Sequence, residues 1–469
     1  MTVTESAVTV LVRAVWVDDV ALAPGDARSV DGFTGELGQT RIEQSGAQVI
    51  AITGAGLRAD ATPARLRRAA SAIARRVASV PPNISRDTPA VIFDVDVASF
   101  DSTAGPAATA AALADGLADG GYRFRMTGAE AWSSGTIPAA PVGGGRSEAW
   151  SSGERLARAV AAARDLVNLT PSALTPARFA ELAVAMLQPV GVRVTVLDGE
   201  SLVAGGYGGI IGIGAGSPNP PRLVELAVGD GEPEIVFVAK AVTFDSGGLS
   251  LKAPDALMDM KSDMAGAAAV VAAFALLPSI APGRSFAAVI PVVENLPGPG
   301  SVRPGDVVRL RNGSTLEILN TDFEGRVILA DALARAAELE PASIVDIATL
   351  TYAARHALGD DLAALVATDD GLAARVIAAG DRAGEPVWRM PLLADRRALI
   401  ESSIADLVNF PADPTGRVSS AALLLRQFVG DVPWAHLDMA APAFKHVADV
   451  AAAAGGTGWG VRLIVELVR

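Results

Sequence analysis

Three of the four lysines in this 469-residue chain, Lys240, Lys252 and Lys261, lie within 22 residues of one another, and the fourth is Lys445. All other basic residues, among 39 in total, are arginines. A guanidinium stays protonated in a protein, whereas an amine can lose its proton and act as ligand or base. A lysine cluster in an arginine-rich chain therefore suggests a site that needs an amine; the competing reading is chance in a small set. Carboxylates stand beside it. Lys240-Ala-Val-Thr-Phe-Asp245-Ser-Gly-Gly leads to Lys252, and Met-Asp-Met-Lys-Ser-Asp263 follows, opening an apolar, Ala-rich segment. Taken alone, Asp263 reads first as a helix cap stabilised by the helix dipole. A second acidic stretch runs Asn320-Thr-Asp322-Phe-Glu324-Gly-Arg326. If that stretch is extended, Asp322 and Glu324 point to one side and Phe323 to the other. Paired carboxylates repel unless Arg326, a shared proton or a metal lies between them. Four carboxylates with lysines, and without His or Cys, resemble an oxygen-rich metal site, for which ligand softness favours Mg²⁺ or Mn²⁺.

Composition narrows the classes. Half of the chain is hydrophobic and 19% is charged, so a large core can form and disorder is excluded. The absence of cysteine removes disulfide scaffolds, cysteine nucleophiles and iron–sulfur clusters, and three histidines make a His-rich metal site a poor reading. A net charge of −13 disfavours generic binding to nucleic acid, although a local basic patch could survive. The N-terminus has no basic residue ahead of its apolar residues and does not read as a signal peptide. The most apolar stretch, 264–277, is too short to span a bilayer and reads as a buried helix. A soluble cytoplasmic protein is the expectation.

The acidic stretches need elements to bring them together. From Asn168 onward, strands expected at 193–197, 234–239, 285–293, 315–319, 343–348 and 362–367 alternate with helices at 175–187, 264–277, 327–339 and 419–429. This alternation predicts an α/β catalytic domain with a mixed, mostly parallel sheet covered by helices on both faces. Ligands in such sheets sit beyond the carboxyl ends of strands, here the loops after Ala239, Val293, Leu319 and Ala348. Residues 1–150 read as a small N-terminal α/β domain, with strands at 8–17, 48–52, 91–97 and 122–126 and helices at 63–80 and 103–117. The helix at 154–167 serves as connector, giving a division into 1–150, 151–170 and 171–469. The hexapeptide Glu-Ala-Trp-Ser-Ser-Gly occurs at Glu130 and again at Glu148, with Gly143-Gly144-Gly145 between, and reads as loop and domain boundary. The helix at 63–80 carries Arg65, Arg67, Arg68, Arg75 and Arg76, which reads as a solvated face before a nucleic-acid patch.

These residues resemble the leucyl aminopeptidase (cytosol aminopeptidase) family of two-metal exopeptidases. The family's Asn-Thr-Asp-Ala-Glu-Gly-Arg element is matched at Asn320–Arg326 with Phe323 replacing Ala. Its Lys-Gly-Ile-Thr-Phe-Asp-Ser-Gly-Gly element and following Lys are matched from Lys240 to Lys252, with Ala241 and Val242 in the Gly and Ile places. Further likeness lies in Asn168-Leu-Thr-Pro, Pro304-Gly-Asp-Val, Asp346-Ile-Ala-Thr-Leu-Thr, Pro433-Trp-Ala-His-Leu-Asp and Gly458-Trp-Gly-Val-Arg, about 300 residues in all.

The resemblance implies two divalent cations per subunit, Mn²⁺ or Zn²⁺. One would be held by Asp245, Asp322 and Glu324, the other by Lys240, Asp245, Asp263 and Glu324. It implies attack of an activated water on the first peptide bond, Lys252 at the oxyanion, and Arg326, through a bicarbonate, helping to move the proton. Peptides with a free N-terminus are the implied substrates, with Lys252, Asp263, Met260, Thr349, Leu350 and Tyr352 around the substrate. A homo-hexamer is the implied assembly. Three residues or segments depart from the pattern. Phe323 should alter packing rather than ligation, Tyr352 stands where the family usually has Gly, and Asn295-Leu-Pro-Gly is less typical. Lys261 reads as structural and His436 as a core or supporting residue. The alternative, a DNA-binding or regulatory protein on the same scaffold, rests on the arginine helix alone and is opposed by the net charge. A dead scaffold is opposed by all seven intact positions.

Overall fold

Ile235-Val-Phe-Val-Ala239 is apolar at every position, the pattern of a strand covered on both faces, and all five residues are buried. The computed structural model describes residues 8–16, 34–45, 48–79, 91–100, 104–127, 130–134, 139–141, 147–411, 413 and 415–469. Two units are present: Met1–Ala161 with Arg382–Gly384 and Lys445–Gly455, and Ala162–Asp381 with Glu385–Phe444 and Gly456–Arg469. No helix among the described residues is long and apolar enough to cross a membrane.

In the first unit, β1 (Val8–Val15), β2 (Thr40–Ser45), β3 (Gln48–Gly54), α1 (Pro63–Ser79), β4 (Val91–Val95), α2 (Pro106–Gly121), β5 (Arg123–Thr127), β6 (Glu130–Ser134) and β7 (Ala139–Pro141) precede α3 (Glu148–Asn168). The sheet order is β2-β3-β1-β4-β7, with β5 and β6 forming a separate hairpin. Leu66 and Ile73 of α1 and Leu113 and Leu117 of α2 pack with Val10, Val12 and Trp150 in one core. Of the arginines of α1, Arg65, Arg68 and Arg76 are exposed, as expected of a solvated face, while Arg67 and Arg75 are half-buried ties. Arg67 donates to the Ala383 carbonyl at 2.7 Å, Arg75 to that of Asp449 at 3.2 Å, and Arg65 pairs with Asp60 at 2.7 Å. The nucleic-acid reading is left without a supporting observation.

Neither copy of the repeated hexapeptide is a loop. Its first five residues at Glu130 form β6, paired antiparallel with β5, while the copy at Glu148 opens α3. There Trp150 is fully buried and donates from Nε1 to Glu154 at 3.2 Å. Packing thus overrides a local sequence that is identical in both places. The Gly143–Gly145 run lies outside the described residues.

The second unit continues with α4 (Pro176–Leu187), β8 (Arg193–Leu197), α5 (Gly199–Ala204), α6 (Gly208–Gly214), β9 (Arg222–Val228), β10 (Ile235–Ala239) and β11 (Ala241–Asp245). Then come α7 (Pro254–Leu257), α8 (Ala265–Phe274), α9 (Leu277–Ile280), β12 (Phe286–Asn295), β13 (Asp306–Arg309), β14 (Thr315–Ile318) and α10 (Glu324–Ala337). The chain ends through β15 (Ile344–Ala348), α11 (Tyr352–Leu358), β16 (Ala363–Ala367), α12 (Asp370–Ala383), β17 (Val387–Arg389), β18 (Leu407–Val408), α13 (Arg417–Leu425), β19 (Trp434–Asp438) and α14 (Val461–Val468). The large sheet runs β17-β16-β19-β15-β10-β12-β9-β8, with β11 added beside β12. Strands β12, β10, β15 and β19 are parallel, and β9 and β16 run antiparallel to their inner neighbours. This is the mixed, mostly parallel α/β sheet expected.

Both faces are covered because successive side chains of β10 point opposite ways. Val236 and Val238 join the core cluster that contains Val327, Ile328 and Leu329 of α10. Phe237, between them, meets Phe274 of α8 edge-on at 6.0 Å. Helix α8 approaches β15 so closely that a Cβ on Gly266 would come within 2.4 Å of the Ile347 carbonyl oxygen. Gly266→Ala must therefore push the helix off the sheet, and we expect a loss of about 1–3 kcal/mol. Urea unfolding of the variant reads this, and an unchanged midpoint would contradict so close a contact.

Candidate active site

The carboxyl ends of β11 and β15, together with the turn after β14 of a separate sheet ordered β13-β14-β18, deliver the reactive residues to one place. Residues 241–245 are a strand rather than the expected loop: Ala241 and Val242 are buried, and the chain breaks only at Lys240, moving from a position between β15 and β12 to pair with β12 alone. Asp245 is the last residue of that strand. The acidic stretch after β14 is not extended either. It turns, with Phe323 at the N-cap and Glu324 as first residue of α10, so the turn brings the two carboxylates together. Asp263 does not cap α8, whose N-cap is Met264 and which has no side-chain cap.

Two lysines hold four acids. Lys240 Nζ lies 2.8 Å from Asp263 Oδ2 and 2.8 Å from Glu324 Oε1, and donates to the Thr349 carbonyl at 3.0 Å. Lys252 Nζ lies 2.7 Å from Asp245 Oδ2 and also contacts Asp322 Oδ1. One carboxylate oxygen from each of Asp245, Asp322 and Glu324 lies within 4.8 Å of the others. Gly325 leaves room for this packing, since a Cβ there would stand 2.9 Å from Lys240 Nζ and from Leu350 Cδ1.

Electrostatics follow burial and charge. Burial, with Glu324 adding to it, raises the pKa of Asp245 well above the usual range, against Lys252. Burial also pushes Asp263 up to about 6 against Lys240. Asp322 is raised by burial, whereas in Glu324 the two lysines outweigh burial and lower it. Burial works against both ammoniums, yet the surrounding carboxylates raise both lysines. A metal fits this donor set. Glu324 Oε2 is buried without a hydrogen-bond partner, and Asp263 Oδ2 and Asp322 Oδ1 meet only the lysine ammoniums.

The supporting residues were less visible in the sequence. Asn295 donates to Asp245 Oδ1 at 2.8 Å and to the Thr321 carbonyl at 3.0 Å. Thr321 ties the two acidic segments together: its hydroxyl donates to the Gly247 carbonyl at 2.6 Å and accepts from Ser250 N at 2.8 Å. Thr349 donates to Asp263 Oδ1 at 2.7 Å. Asp438, ending β19, accepts from Leu350 N, Thr351 N and the Thr351 hydroxyl. Asn409, fully buried, accepts from Leu319 N at 2.9 Å and donates to the Asn320 carbonyl at 2.7 Å. No motif marked Asn409, which acts through backbone groups far away in sequence, and the Pro433–Asp438 motif gave Asp438 no role.

Of the remaining expected residues, Met260 is buried and Tyr352 is 49% exposed, with the Tyr352 hydroxyl 4.0 Å from Met260 Sδ. Lys261 donates to the Asn168 carbonyl at 3.2 Å. His436 is buried against Asp346, Nδ1 to Oδ1 2.5 Å, and Trp434 donates to the same carboxylate at 2.7 Å. Phe323 packs against Phe410, away from the ligand oxygens.

Residues 161–465 match the catalytic domain of the cytosol aminopeptidase family. The chain belongs to that family. It is thereby a metal-dependent peptidase of the hydrolase class. A probable cytosol aminopeptidase of Streptomyces coelicolor is 40% identical over 432 residues, 87% of this chain and 80% of the relative. One of Nocardia farcinica is 43% identical over 335 residues, 71% of this chain and 66% of the relative. The solved structure of the bottromycin maturation enzyme BotP in complex with Mn superposes over 99% of both chains, with a TM-score of 0.87 and 38% identity.

Asn409 offers a test of how the acidic turn is held. Asn409→Ala leaves the Asn320 carbonyl and Leu319 N without their partner, a cost of about 1–3 kcal/mol when such groups are buried. We expect weaker metal retention on dialysis and at least about tenfold lower turnover, since small displacements at a site are costly. Full metal content and turnover in the variant would mean the turn is held by other contacts.

Proposed function

We propose that this chain releases N-terminal residues from peptides using two divalent cations, Mn²⁺ or Zn²⁺. The observation that carries the reading is the convergence of Asp245, Asp263, Asp322 and Glu324 on two lysines, with Glu324 Oε2 buried and unpartnered. Asp245, Asp322 and Glu324 would hold one ion, and Lys240, Asp245, Asp263 and Glu324 the other. When bound, such a pair activates water and polarises the peptide carbonyl. The Mn complex of the similar BotP supports manganese.

The chain's own residues supply the rest. A dication among the acids that now raise Lys240 would take over their charge, leaving burial to favour the neutral, ligating amine. Lys252 keeps its proton beside Asp245 and Asp322 and is the donor to the oxyanion that develops at the carbonyl. Arg326, two residues beyond Glu324, would hold a bicarbonate, which would supply a proton-transfer group near the leaving amine. Met260, Thr349, Leu350 and Tyr352, with Asp263 and Lys252, surround the first residue of the substrate, whose free amine joins the ligands. The catalytic portion spans 171–469, joined through 151–170 to the N-terminal domain, and the enzyme is a cytoplasmic homo-hexamer.

Chelation followed by dialysis should abolish hydrolysis of aminoacyl chromogenic substrates, and Mn²⁺ or Zn²⁺ should restore it. Acetylating the substrate's amine should stop turnover even with metal present. Equal cleavage of acetylated substrates would move the protein to another peptidase type.

Two conservative substitutions separate the lysines. Lys240→Arg places a guanidinium, which offers no lone pair, at a ligand position, so bound metal should fall below two per chain. Lys252→Arg should keep both metals but misplace the oxyanion donor, lowering kcat about 10²–10³-fold. Elemental analysis beside kcat reads both, and two metals with near-normal kcat in each variant would sink the amine assignment.

A further inference from the structure

Beside the acidic cluster lies a second, cationic one. Phe323, between Asp322 and Glu324, meets Phe410 edge-on, with centroids 4.7 Å apart and planes at 86°. The Arg326 guanidinium lies over the Phe323 ring, 4.4 Å from its centroid. The Arg417 guanidinium lies 5.4 Å from the same centroid and 5.7 Å from that of Phe410. Sharing one ring, the two guanidinium carbons are at most about 10 Å apart. Phe323 is also the single residue by which the acidic turn departs from the Asn-Thr-Asp-Ala-Glu-Gly-Arg pattern.

Neither guanidinium has an ion-pair or hydrogen-bond partner among the described residues, and Arg326 is 2% exposed with Nε buried and unpaired. Ring faces attract cations, but they replace only part of what a counter-ion supplies to a buried charge. Arg417 is half-buried and opens α13, whose N-terminus has no side-chain cap, so backbone N–H groups add to the positive field there. Two neighbouring guanidiniums without a hydrogen-bonded counter-ion, beside an uncapped helix start, form a place for anions, although the charges of Glu324 and Asp438 reach Arg326.

Position identifies which anion. The loop of Thr349, Leu350 and Tyr352 borders Asp263 and Lys240 through Thr349. The phenylalanine–arginine cluster borders Asp322 and Glu324 through Phe323, which stands between them in the chain, and Asn409 and Phe410 meet the same turn. A peptide whose first residue lay in the Thr349–Tyr352 loop, with its first bond over the acids, would have its second residue beside the Asp322–Glu324 turn, where Phe323 and Arg417 meet. We propose that Arg417, backed by the Phe323–Phe410 pair, is a specificity residue that binds a carboxylate on the second residue of the substrate. That carboxylate is either the C-terminus of a dipeptide or an acidic side chain. Arg326, buried beside Glu324, keeps its place next to the reacting bond. The assignment rests on the aminopeptidase reading above.

The test compares kcat/KM, with Mn²⁺ and at low salt, for Leu-Gly against Leu-Gly-amide and for Leu-Asp-amide against Leu-Asn-amide. The parent enzyme should favour the carboxylate member of at least one pair by about tenfold, the size expected of one charge-assisted contact. The pair that responds tells the C-terminus from the side chain. Arg417→Gln should reduce the preference below about twofold, chiefly through KM, while Arg417→Lys, which keeps the charge but not the planar fork, should retain part of it. Hydrolysis of the neutral members with no carboxylate preference would overturn the subsite and leave the aminopeptidase reading standing. A preference that survives in both variants, or one reproduced only by added bicarbonate acting equally on all substrates, would also overturn it. Failure to hydrolyse any of the four with metal present would remove the aminopeptidase reading, and the subsite with it.

Discussion

Four carboxylates gathered in a buried space repel one another, and the second unit is organised around making that gathering possible. The acids arrive on three segments: the end of β11, the turn before α8, and the turn from β14 into α10, which carries both Asp322 and Glu324. Strand ends of two sheets bring these segments to a common edge. The lysines then offset charge that would otherwise drive the segments apart. The glycines at 266 and 325 serve the same end, letting α8 lie against β15 and letting Lys240 pass beneath the Glu324 turn.

What the sequence made legible was chemistry at fixed spacing. Lysine scarcity singled out Lys240 and Lys252, and both meet the acids that stood near them in the chain. The strands named in advance are largely those with continuous apolar runs, such as residues 235–239 and 344–348, because a strand buried on both faces has little freedom in composition. Ala241–Asp245 was read as a loop because Thr243 and Asp245 interrupt the apolar run, yet both are buried and bonded, Thr243 to the Val293 carbonyl and Asp245 to Asn295. The two copies of Glu-Ala-Trp-Ser-Ser-Gly were illegible for a stronger reason. One is strand and the other helix, so nothing within six residues distinguishes them.

The residues that hold the site were hidden for another reason. Asn409 works through backbone groups about 90 residues away in sequence, and a lone Asn at such a distance leaves no pattern; Asp438 stood in a recognised motif, but its bonds to the Leu350–Thr351 backbone appear only in three dimensions. Phe323 was visible as a departure, and its expected packing role agrees with its contact to Phe410. Arg417, unlike Arg326, became meaningful only in three dimensions, because it follows Arg326 by 91 positions and shares with it one aromatic ring.

Thr321 joins the Asp245 and Asp322 segments by direct hydrogen bonds to Gly247 and Ser250. Their spacing is therefore set by the protein rather than by whatever ions the acids attract. The ordering entropy of the ligand loops is spent during folding, when the core forms, and an arriving cation meets a preorganised cage. Because one clasp serves both segments, strain introduced at either is shared, so the Asp245 and Asp322 carboxylates should move as a single mechanical unit.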